Sequence, residues 1–316
     1  MDTIHFRIHY DTTGTAAVDM NYVRLIAGIA EYCWDIEVDS MGFDDPPPDD
    51  TAGGDSKYDI YITVMPGSAA GYCASEGQGP DPDQEDYITY IAVSYDLGST
   101  TGEPEAVVAH EFMHACQMSY TALDGPCFME NCAQWATEMV YPDINFYVLY
   151  FGMPATPFNR PNYDITHAPY PNPDYYEYAA TTWPLFLMFW TGDTGVIEAC
   201  WDSMGLHPSN HTLEDIDCVL LRDHGDSLES AMADYAVWRW FSGVMWDDWH
   251  WSEADLWPTV RTLRTHSTYP AAGDEGSLPI YGPGGTDFIV FDSWEPRNHF
   301  TSTLMGRTVG GGTPGS

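Results

Sequence analysis

The chain is almost without lysine: Lys57 is the only one in 316 residues, and ten basic residues in all stand against 48 acidic ones, for a formal charge of -38. No basic patch can be assembled from so few cations, and a polyanion would be repelled, so nucleic acid is excluded as a partner. Long apolar runs are also missing. The nearest, Trp183 to Trp190, is far short of a bilayer crossing, so no membrane insertion is expected. Met1 to Tyr10 have neither the charged start nor the apolar stretch of a signal peptide. Any export signal is therefore expected to lie outside this chain.

What is present is aromatic. Residues of the Phe, Trp and Tyr types make up 15% of the chain, with 12 Trp and 21 Tyr, enough apolar surface to pack a core despite the acidity. Asp outnumbers Glu about twofold, which suits a solvation-demanding, saline or extracellular exterior. Seven cysteines are many for a reducing compartment, and none form a CxxC pair. They point to a secreted protein with some disulfides.

Alternation at Ile4, Phe6, Ile8, Tyr10 and again at Tyr58, Ile60, Ile62, Val64 predicts two half-buried strands, and Tyr87 to Tyr95 a third. Between the first two, Asp19 is placed to cap a helix carrying Val23, Ile26, Ile29, Ala30 and Cys33. Pro66 to Glu85 reads as a Gly/Pro/Asp loop. Pro104 opens an uninterrupted helix through Tyr120, followed by helices over 128–140, 143–151, 176–190, 194–204 and 227–242. Residues 152–175 hold six prolines and read as a long loop able to shape a site. A strand-like run, Asp287 to Asp292, precedes a Gly-rich tail ending in Gly310 to Ser316. The fold class is α+β. The division is an N-terminal lobe over 1–126, a mainly helical lobe over 127–275, and an extension with tail over 276–316.

The helix opened by Pro104 contains His110-Glu111-Phe112-Met113-His114, an HExxH motif. Chance would supply one such motif roughly 0.02 times at this composition. Four residues apart on a helix, the imidazoles of His110 and His114 project from one face, one turn apart, and Glu111 is rotated by a single residue step. Two neutral imidazoles plus a carboxylate suit Zn2+ with a position left for water. Gln117 and Tyr120 stand where HExxHxxGxxH requires Gly and His, which rules out that subclass. The third ligand is then a downstream carboxylate. Glu130 lies sixteen residues after His114 on the next predicted helix and is the choice; Glu138, further along it, is either a solvated residue or an acceptor for a ligand histidine.

HExxH followed by Glu130-Asn131-Cys132-Ala133-Gln134-Trp135 resembles the gluzincin metallopeptidases, which include thermolysin and the zinc aminopeptidases. Their third ligand often lies in Trp-x-x-Glu-Gly; here Cys127 replaces the Trp and Asn131 the Gly. His110 to Gln117, with the later Tyr141-Pro142-Asp143, is also similar to a group of secreted bacterial metalloproteases. The resemblance implies a thermolysin-like zincin, with a mixed N-terminal sheet, the HExxH helix, a helical C-terminal lobe and the cleft between. It implies a zinc peptidase in which Glu111 is the general base. Tyr176-Glu177-Tyr178-Ala179-Ala180 is similar to the Tyr-Glu-Lys-Gly-Ala of the aminopeptidases, which makes Tyr176 the oxyanion donor, with Tyr178 in reserve and a packing role as the plain alternative. Nothing like their Gly-x-Met-x-Asn strand occurs between Asp86 and Glu103, so an endopeptidase acting on peptide or protein substrates is favoured. An aminopeptidase and a non-catalytic binding protein on the same scaffold are the alternatives. An extended substrate would lie on an exposed strand edge, for which Tyr87 to Tyr95 is nearest in the chain. Cys116, Cys127 and Cys132 flank the motif and allow a disulfide brace, with buried thiols the alternative. The Asp-rich loops Asp44 to Asp50 and Asp81 to Asp86 carry carboxylates of the type that bind Ca2+, without the ligand spacing of a known calcium loop.

Overall fold

A computed structural model describes residues 1–49, 51–81, 85–98, 102–123, 125–169, 173–207, 211–267 and 282–291. The Gly-rich tail lies outside these, as do parts of the Asp81 to Asp86 loop and of the proline-rich loop.

Four strands, β1 (Phe6–His9), β2 (Tyr58–Thr63), β3 (Gly71–Gln78) and β4 (Tyr87–Ser94), form one sheet in the order β1-β2-β4-β3. β1 and β4 flank β2 in parallel, and β3 runs antiparallel to β4 at the edge. Helix α1 (Met20–Glu37) makes the crossover between β1 and β2, and Asp19 caps it by accepting from the Asn21 and Tyr22 N–H groups. The alternating apolar positions converge as periodicity requires: Phe6, Ile8, Ile60, Ile62, Ile91 and Val93 are buried together with Val23 and Ile26 of α1.

Helix α2 (Glu103–Tyr120) follows β4 and packs on this layer, its Phe112 ring 5.3 Å from Phe6 in an edge-to-face contact. Glu103 and Glu105 sit in its first turn, where the helix dipole favours acids. Gly102 before it has φ +71, and a Cβ there would stand 2.8 Å from Ile144, so only glycine fits. Helix α3 (Pro126–Val140) lies against α2; α4 (Tyr176–Ala179), α5 (Thr182–Thr191), α6 (Val196–Leu206), α7 (Thr212–Val219) and α8 (Leu228–Trp240) complete the helical half. Short strands β5 (Arg264–His266) and β6 (Ile289–Phe291) pair in parallel. The fold is α+β, and buried apolar residues from Phe6 to Val260 form one continuous cluster across both halves.

Several local readings change. β3 forms inside the stretch read as a loop, because its polar sequence satisfies an edge rather than a core position. The helix expected over 143–151 is a 3-10 turn, Phe146–Gly152, entered through Asn145 at φ 53. The run 176–190 splits into α4 and α5, since Pro184 has no N–H to continue the ladder across the junction.

Candidate metal centre and cleft

Helices α2 and α3 bring His110, His114 and Glu130 together as a group able to hold a metal ion. His110 Nε2 and His114 Nε2 are 3.1 Å apart, and Glu130 Oε2 lies 3.2 Å from the first and 3.4 Å from the second. A tetrahedral zinc with ligand bonds of about 2.0–2.1 Å requires ligand atoms about 3.3–3.4 Å from one another, so the triangle has the size of one face of such a site. Glu130 Oε2 is buried and faces both imidazole nitrogens at once, at distances at or beyond the long end of an ordinary hydrogen bond. A buried carboxylate oxygen shared in this way between two imidazole nitrogens is well satisfied by a cation held among the three.

The charges are strongly coupled. Burial raises the Glu130 carboxyl, but the His114 charge and close contact with both imidazoles outweigh it and hold the group well below the usual carboxylate range. Burial opposes charge on His114 as well; Glu130 and Glu111 overcome this and push the ring up to about 9.

Two glutamines hold the far sides of the imidazoles. His114 Nδ1 lies 2.8 Å from Gln117 Oε1, while Gln117 Nε2 donates to the Met129 carbonyl of α3 at 3.0 Å. His110 Nδ1 lies 3.0 Å from Gln134 Nε2. Neither glutamine was apparent as a site residue from the motif alone, although each stands at helical spacing from a ligand: Gln117 three residues after His114, Gln134 four after Glu130.

Glu111 points to the sheet side. It is nearly buried, desolvation raises its pKa, and the Cys73 backbone of β3 interacts with it. Together with His110 it lines an open cleft of about 570 Å³, walled by the Pro66–Gly71 approach to β3 on one side and by Phe146, Tyr150, Met153, Tyr175 and Tyr178 on the other. β4, the strand expected to offer an edge here, is paired on both sides, so its backbone cannot accept another chain. The free edge beside the cleft is β3.

The two candidate tyrosines part company. Two residues apart on a helical turn they face nearly opposite ways. Tyr176 is fully buried in a small cluster with Cys127, Ala155 and Ala180, its ring 5.3 Å from that of His167. It does not reach the cleft. Tyr178 does: its ring stacks on His110 at 5.7 Å and on Tyr150 at 5.1 Å, and its hydroxyl faces Glu130. Burial, with Glu130 beside it, drives its pKa far up, so it remains a protonated donor.

Other expectations are corrected here. All seven cysteines are free thiols, and all but Cys73 and Cys218 are buried, so no disulfide braces the helix pair. Glu138 is neither solvated nor bonded to a ligand histidine. It is 7% exposed, beside a small cavity shared with Tyr147, Glu253 and Trp257. Among the described residues neither Asp-rich loop gathers three carboxylates into a metal-holding group. No family model matches the chain, and a search of curated proteins also finds no match.

Proposed function

We propose that the protein is a zinc-dependent peptidase of thermolysin-like zincin architecture that cleaves within polypeptide chains. The observation that carries this reading is the triangle of His110, His114 and Glu130 with Glu111 one residue step away on the wall of an open cleft. Zinc held by these three ligands would supply Lewis-acid polarisation of a peptide carbonyl and make water acidic near neutral pH. Glu111 is the proton carrier: it takes the proton of the attacking water and returns it to the departing amine nitrogen, closing the proton balance. Its low exposure suits this role, since desolvation brings a carboxylate towards the operating pH. Tyr178 is the hydroxyl donor to the developing oxyanion, in place of Tyr176.

An extended substrate pairs with the exposed edge of β3, which leads to Glu111 through Gly71. A strand-pairing site of this kind suits a chain passing through the cleft better than a free amino terminus. The test is hydrolysis of an unfolded protein by zinc-loaded wild type, with Glu111→Gln and chelator-treated samples beside it. Activity lost in both controls supports the reading. Cleavage only of free-amine amides would make the protein an aminopeptidase, and no cleavage by a folded, zinc-loaded chain would leave a binding protein.

A further inference from the structure

We infer that Gln117 and Gln134 are positioning residues that hold the ring proton of His114 and His110 on Nδ1 and so leave each Nε2 for a metal. This rests on the metal reading above. A histidine binds a metal through a bare nitrogen, so a ring that ligates through Nε2 must carry its proton on Nδ1. The hydrogen-bond pattern behind each ring therefore selects for or against ligation.

Behind His114 the pattern is settled. Gln117 spends its NH2 on the Met129 carbonyl, which can only accept. Its oxygen is thus the atom that faces His114 Nδ1 at 2.8 Å, and that nitrogen must donate. The Nε2 side of the ring is left for a metal. Because Met129 precedes Glu130, the same amide also ties the ligand-bearing turn of α3 to α2.

Behind His110 the Gln134 amide stands 3.0 Å from Nδ1. With its nitrogen towards the ring, Gln134 Oε1 would be buried without a partner, in a residue 2% exposed. The orientation that satisfies the amide places the oxygen on Nδ1, so that Nδ1 donates and Nε2 is left bare towards Glu130. The Tyr150 hydroxyl beside this amide can donate or accept and fits that orientation.

The experiment measures zinc affinity by chelator competition, together with 15N shifts of the His110 ring nitrogens with and without zinc. The probe is zinc alone on the full chain, with wild type, Gln117→Met, Gln134→Met and Gln134→Glu compared. Each Met variant keeps the side-chain length and removes the acceptor, and is expected to weaken zinc binding about 10- to 100-fold. Gln134→Glu, which can only accept, is expected to restore wild-type affinity or exceed it, a rescue that a packing role would not give. His110 is expected to read as the Nδ1–H form in wild type, and to lose that preference in Gln134→Met before zinc is added. Met variants that bind zinc as tightly as a zinc-binding wild type would overturn the inference, as would a wild-type His110 in the Nε2–H form. A folded wild type that takes up no zinc would instead overturn the metal reading itself.

Discussion

Gly71 of β3 and Glu111 of α2 are in van der Waals contact through the absence of a side chain: a Cβ at position 71 would stand 2.9 Å from Glu111 Cγ and 2.8 Å from Val107 Cγ1. Strand edge and the Glu111 side chain, the proposed base, are therefore held at a spacing that only glycine permits. Gly71→Ala is expected to displace Glu111 while leaving the ligand triangle intact. A base moved by a fraction of an ångström to one ångström costs roughly 10- to 100-fold in rate. The check is kcat alongside zinc content, with the first falling and the second unchanged.

The separation of Tyr178 from Tyr176 gives a paired test. Tyr178→Phe is expected to lower kcat by on the order of 10²- to 10³-fold, about 2.7–4 kcal/mol, with little change in KM, because the donor acts where charge develops. Tyr176→Phe is expected to leave kcat nearly unchanged, since its ring lies in the packed cluster behind the cleft. The reverse order of effects would return the donor role to Tyr176.

Glu138 sets a pH dependence of stability. Burial first, then the neighbouring Glu253 and Asp143, raise its pKa from 4.5 to about 8. Between these values the folded chain binds a proton that the unfolded chain has released, so stability falls as pH rises from about 4.5 to about 8 and levels off above. Glu138→Gln removes that slope. Denaturation midpoints should match wild type near pH 4 and exceed it at pH 9, at a rate of about 1.4 kcal/mol per unit of pKa difference as an upper bound.

Metal removal should cost stability as well as activity. A ligand bound only by the folded chain stabilises it by about 2.7 kcal/mol at a hundred times its Kd. Chelation is expected to lower the melting temperature, and added zinc to restore it. Glu130→Gln should melt at the same temperature with and without chelator.

The parts of this protein that could be read directly are those governed by near neighbours in the chain. Alternation marked β1 and β2, the Ile, Val and Tyr content of Tyr87 to Tyr95 marked β4, the Asp19 cap began α1, and HExxH needed nothing but a helix to align His110 and His114. Glu130 was also legible, because it lies sixteen residues after His114 on the next predicted helix, with room for a loop that brings that helix against α2. What could not be read depends on partners distant in sequence. β3 is polar and carries no alternation, and it becomes an edge strand only through its ladder with β4. Tyr176 and Tyr178 are chemically identical, and the direction of one short turn, fixed by packing, sends one to the core and one to the cleft. Glu138 looks like any solvated helix residue until Trp257 and Glu253 close over it. The same holds for Gln117 and Gln134: local periodicity puts them near the ligands, but hydrogen-bond direction, and with it the choice of histidine tautomer, arises only when α2 and α3 meet.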